Sequence, residues 1–219
     1  MSKRTKKTLS DLLTESEIAL TNAENQPEIK AALEAVSFGS EKIAEGRALR
    51  ENTKNLSSAQ QREFAESTEA SLRFKTAKKE TQTLYAKHRK RAKSLFEENT
   101  TALSELKLLG KQSTIHTAWR DMTEHFYKAL LNNADYMAAM ATMNVQRDEV
   151  EQAKASIQTM DTAYTEYIRE KGESEEATRL KDVAARELEL FMSRFWKIAR
   201  IALEDKPQLM ESLKKVVKR

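Results

Sequence analysis

The chain has 219 residues, 33% of them charged and 39% hydrophobic, and a net charge of +4. It contains no cysteine, 4 glycines and 2 prolines. Disulfides, thiol chemistry and thiolate metal sites are thereby excluded, and so few backbone breakers point to long helices.

The positive excess lies in the first half and starts with MSKRTKK. Asp11, Glu15 and Glu17 interrupt the apolar run that a secretory leader needs, so no leader is expected and the cytoplasm is the expected compartment. The longest uncharged, largely apolar run is YMAAMATMNV at 136–145, about half of the roughly 20 residues of a membrane span, so no transmembrane segment is expected.

In chain order, Leu9, Leu12, Leu13, Leu20 and Ala23 mark a short first helix. Pro27 suits the first turn of the next, a long helix over 27–64. A bend near 65–67 leads into a second long helix over 67–98. Leu103, Leu106 and Leu109 mark a short helix that ends at Gly110. After a linker at 110–114, Ile115, Trp119, Met122, Phe126 and Leu130 open the second half.

A third long helix is expected over 134–171. Tyr136, Met143, Val150, Ile157 and Tyr164 recur every seven residues there, with Ala139, Ala153, Met160 and Tyr167 beside them. Lys171-Gly172 is read as its end and Ser174 as the cap of a fourth long helix over 174–203. The fourth helix carries Ala184, Leu188, Phe191, Phe195, Ile198 and Ala202. Pro207 opens a last helix with Leu209, Leu213 and Val216.

The two halves read as copies. When the chain is slid along itself until Val36 meets Met143, Phe38 meets Val145, Ile43 meets Val150 and Ala48 meets Ala155. In the same register EFAESTEA at 63–70 meets EKGESEEA at 170–177. One residue is then dropped, so that Leu84-Tyr85 meets Leu190-Phe191, and the register returns by Ala92 and Ala199. The repeated phrase is taken as the bend of a helical hairpin, present twice because the hairpin is. The expected fold is all-α: an elongated antiparallel four-helix bundle from two tandem hairpin repeats, 1–112 and 113–219, with short flanking helices, packed as one domain.

PEIKAALEAVSFGSEKIAEGRAL at 27–49 and FWKIARIALEDKPQLMESL at 195–213 resemble motifs in a set of bacterial all-helical proteins. The likeness rests on Glu45-Gly46-Arg47, Ala199-Arg200-Ile201-Ala202-Leu203 and Pro207-Gln208-Leu209. It implies a bacterial source and a duplicated helical hairpin over most of the chain. No activity comes with it. The chain departs at Lys214-Lys215-Val216-Val217, where those proteins carry a Leu-Gly turn.

The chemistry expected of a helical bundle is a carboxylate-bridged di-iron site, which needs Glu-x-x-His on two helices. Tyr85, Ser113 and Met122 stand three residues before His88, His116 and His125, so the pattern is absent and no metal or cofactor is expected. Nor does the sequence hold a P-loop, a G-x-G-x-x-G or a visible nucleophile–base pair. His88 shares a seven-residue stripe with Phe74, Thr81 and Leu95, which predicts a partly buried histidine bonded to a neighbour. Met137, Met140 and Met143 read as core filler.

KHRKRAK at 87–93 is the one local feature that stands above background as candidate chemistry. Lys87, Arg89, Lys90 and Lys93 are its candidate contacts for nucleic acid or another polyanion, although no aromatics interleave for base stacking. The leading expectation is a non-enzymatic scaffold or protein-interaction module, acting through an unidentified protein partner or through self-association. The polyanion reading is the alternative.

Overall fold

The structure is a computed structural model and describes residues 8–214. It is all-helical there, with α1 Leu9–Asn25, α2 Pro27–Ala35, α3 Ser40–Leu95, α4 Thr100–Glu105, α5 His116–Asn132, α6 Ala134–Thr142, α7 Arg147–Ala202 and α8 Pro207–Ser212. No helix among the described residues is long and apolar enough to cross a membrane. Pro27 and Pro207 stand in the first turns of α2 and α8, as their missing N–H allows. Val216, assigned above to the last helix, lies outside the described residues.

The four long helices of the sequence reading are replaced by two of 56 residues each. Neither α3 nor α7 ends at the repeated phrase, since 65–67 and 172–174 are helical. Two local features account for this. The glutamates of the phrase are held by arginines one turn on, Arg73 to Glu69 at 2.8 Å and Arg179 to Glu176 at 2.6 Å, which supports helix. Gly172 is in open space, so nothing there demands a turn.

The breaks fall instead at Ser37 and Asn144, with φ of 58° and 54°. Phe38 N–H donates to Leu33 O and Ser37 N–H to Glu34 O, while Val145 and Asn144 repeat the arrangement on Met140 and Ala141. These are Schellman C-caps, and the residues after the left-handed ones, Phe38 and Val145, are buried in the apolar cores. The stretches expected as continuous over 27–64 and 134–171 are therefore cut in two.

The helices α5, α6, α7 and α8 follow α1, α2, α3 and α4 at one constant interval, which holds at both ends of every helix. No residue is dropped within the long helices. Ala77, Thr81, Tyr85, His88 and Ala92 are buried, and so are Ala184, Leu188, Met192, Phe195 and Ala199 at the same interval. The slip that pairs Leu84 with Leu190 is thus corrected: Leu190 is 66% exposed.

The chain forms two compact units, and they are not the two sequence halves. The first takes its described residues from Met1–Ala65 and Gly172–Arg219. In it α3 and α7 pair antiparallel, Gly46 meeting Phe191 and Thr53 meeting Ala184, with α1, α2 and α8 around one apolar core. Leu20, Ile29, Leu33, Phe195 and Leu213 are fully or almost fully buried there. Asn22 fastens α8 by donating from its amide to Ser212 O at 2.9 Å.

The second unit is Glu66–Lys171. It pairs the other parts of α3 and α7, also antiparallel, with Arg73 near Glu166 and Thr81 near Ser156. Its core is richer in aromatics, with Tyr85, Trp119, Phe126 and Tyr127 stacked edge to face.

Candidate functional site

The basic stretch of α3 divides when folded. Lys90 and Lys93 are exposed. Lys87 reaches across to α7, its Nζ 2.5 Å from Glu149 Oε1. Arg89 turns inward, is only 9% exposed, and donates from Nη2 to Leu108 O at 2.9 Å. Arg89 is thereby removed from the candidate polyanion contacts and Lys87 is already paired. The sequence reading put Arg89 on an outward face, shared with Lys93 and next to that of Lys87 and Lys90, because α3 was read without the chain segment that follows α4. Lys107 adopts φ 49° there, and Leu108 is folded down to full burial beside Arg89.

His88 is fully buried, beyond the partial burial its stripe predicts, and both ring nitrogens are engaged. Nε2 stands 3.0 Å from Glu149 Oε1 and Nδ1 stands 3.1 Å from the Tyr127 hydroxyl. A carboxylate only accepts, so Nε2 carries the proton and Nδ1 accepts from Tyr127. Burial holds the His88 imidazole below its ordinary pKa, and Glu149 opposes it without winning. Lys87 first, then His88, holds the Glu149 carboxyl below the ordinary carboxylate range. Burial pushes the phenols of Tyr127 and Tyr85 up, the latter against the pull of Arg89.

A Glu–His–Tyr chain has the form of a proton relay, but a relay needs a reacting atom at its end. This one ends at the hydroxyl of Tyr127, a fully buried side chain. The arrangement instead fastens α5 to the α3–α7 pair. At the matching positions of the first unit, His88 and Tyr127 give way to Phe195 and Leu20, which are buried and apolar. Tyr127 and Glu149 were not singled out in the sequence, because no local pattern links three residues on three helices.

The first unit carries a different feature, a groove of about 480 Å³ between α3 and α7. Leu56 and Ala59 form one wall and Ala177 and Leu180 the other. Glu63, Glu173 and Glu176 also line it, with no basic residue among the lining side chains. Phe64 and Val183, on the same two helices, are 61% and 46% exposed. Before the groove on α3, Arg50 Nε donates to Leu13 O of α1 at 3.1 Å.

No family model, curated protein or solved structure matches the chain.

Proposed function

We propose that this protein is a non-enzymatic helical interaction module, and that the groove between α3 and α7 in the first unit receives a helix from a partner protein. The observation that carries the reading is the open apolar lining of Leu56, Ala59, Ala177 and Leu180. Two paired helices offer a third helix such a seam, and an apolar stripe at helical spacing is the shape that fills it. Glu63 and Glu176 already pair with Arg62 and Arg179 at the surface, and with Glu173 they set the sign of the occupant: an amphipathic helix whose basic residues flank the apolar stripe and compete for these carboxylates.

The same reading takes the eight helices as two copies of a four-helix unit. The constant interval between paired helices supports duplication, as does the recurrence of the left-handed cap at Ser37 and Asn144. It also places the chain with the duplicated bacterial proteins that its motifs resemble, working in the cytoplasm. The polyanion alternative keeps only Lys90 and Lys93 as unengaged surface cations of the original four.

The test uses two labelled model peptides of about 20 residues, one of Leu and Lys at amphipathic helical spacing and one of Leu and Glu. The Leu–Lys peptide should bind saturably in fluorescence anisotropy, at least about tenfold tighter than its acidic analogue. The net charge of +4 works against this result, so bulk attraction cannot produce it. Leu180→Glu should remove the binding while leaving the far-UV circular dichroism intact. Equal binding of both peptides, or binding indifferent to Leu180→Glu, would refute the reading.

A further inference from the structure

A second cavity lies in the first unit, apart from the groove. It measures about 350 Å³ and is lined by Glu15 and Ile18 of α1, Trp196 and Arg200 of α7, and Lys214. That volume is within the range of small-ligand pockets. Its floor is Trp196, whose ring is fixed edge to face against the buried Phe195 at 5.2 Å. Lys214 Nζ stands over the indole, 5.8 Å from a ring centroid. A smaller cavity of about 210 Å³ shares Glu15 and Trp196, so the indole borders open space on two sides.

We propose that this cavity binds a small planar aromatic anion. The indole and Ile18 offer a flat apolar surface, on which an aromatic ring recovers stacking and burial together. Arg200 and Lys214 supply two positive charges against the single carboxylate of Glu15, which selects an anionic substituent. Carboxylate and phosphate share the chemistry that a guanidinium and an ammonium recognise.

The second unit contains no such site at the same interval. Arg89 stands where Trp196 does and is spent inward on Leu108 O, which closes that place with the protein's own chain. The site therefore belongs to one unit only, although the helices around it recur in both.

The chain has two tryptophans, and Trp119 is buried in the second unit. Their two indole N–H signals in a ¹H–¹⁵N spectrum separate the site from an internal control, with Trp196→Phe assigning them. Phenyl phosphate should shift the Trp196 signal saturably, with a Kd at or below about 1 mM, and leave Trp119 in place. Inorganic phosphate alone and phenol alone should each bind at least about tenfold more weakly. Arg200→Gln, and separately Lys214→Gln, should weaken phenyl phosphate by at least about tenfold, with the rest of the spectrum unchanged. Benzoate in place of phenyl phosphate decides which anion the site prefers, and saturable binding of either supports it. A motionless Trp196 signal, equal binding of phenol, or indifference to both variants would overturn the proposal.

Discussion

Gly46 and Phe191 are in direct contact across the antiparallel helices of the first unit. A Cβ built on Gly46 would lie 2.4 Å from Phe191 Cε1 and 2.7 Å from Cζ. Glycine is required there by the closeness of α3 and α7, since Gly46 is helical and needs no unusual backbone. Gly46→Ala should destabilise the protein by about 1–3 kcal/mol, the range for overpacking a core. Urea unfolding of Gly46→Ala beside Gly46→Ala/Phe191→Leu measures this, and the second change should restore part of the loss. Equal stability of Gly46→Ala and the parent would show that the two helices do not approach this closely.

Gly172 behaves in the opposite way. It is helical, and a Cβ there would meet nothing within 4 Å. Gly172→Ala should stabilise by up to about 1 kcal/mol, the helix-propensity difference, and raise Tm by about 2–4 °C. A hairpin bend at Gly172 would instead make the same substitution destabilising, so the sign of the change in a thermal melt decides between bend and continuous helix.

His88 sets a pH dependence. Its folded pKa lies below the ordinary 6.5, so the unfolded chain takes up the proton first as pH falls. Its contribution is complete above about pH 6.5 and is lost progressively as acid approaches the folded pKa. Glu149, also lowered, adds a loss of the same sign once pH falls through its ordinary 4.5. Urea stability measured from pH 7.5 down to 5.5 should therefore decline. His88→Phe, which copies the first unit, should flatten that slope while costing about 1–3 kcal/mol at neutral pH through the unpaired Tyr127 hydroxyl. An unchanged slope would remove His88 as its origin.

Arg89 and the pair Lys90 and Lys93 should separate cleanly. Arg89→Gln should lower stability by about 1.5–3 kcal/mol, because a charged donor to Leu108 O is lost from a buried position. Its elution from immobilised heparin should stay at the parent salt concentration. Lys90→Gln/Lys93→Gln should leave the melting temperature alone and elute earlier. A shift of Arg89→Gln on heparin without a loss of stability would return Arg89 to the surface.

The helical class and both prolines were legible because they depend on local chemistry, namely few breakers and a ring that suits a first turn. The buried stripe of His88 was legible from its seven-residue spacing. The continuity of α3 and α7 through the repeated phrase was not. Ser174, Glu176 and Gly172 are good cap residues, yet caps are used only where a helix has reason to end, and the pairing of α3 with α7 gives none there. Ser37 and Asn144 escaped notice because a left-handed non-glycine cap is closed by Phe38 and Val145 finding a core, which is a tertiary event. Glu149 and Tyr127 escaped for the same reason, as did the inward turn of Arg89.

The two units differ in how the chain supplies them. The second is one uninterrupted stretch, whereas the first is assembled from both sides of it. During synthesis, everything the second unit requires has been made once residue 171 is out. At that moment α1, α2 and the first part of α3 still lack Leu188, Phe195 and Leu213, on which their own core depends. Of the two units, the one whose synthesis starts earlier is thus the last to close, and the nascent chain carries the apolar faces of α1 and α2 without their partners until the rest of α7, and then α8, emerge. A ribosome that stalls between the two events leaves a chain with one finished unit and one sticky end, the state most open to capture by chaperones.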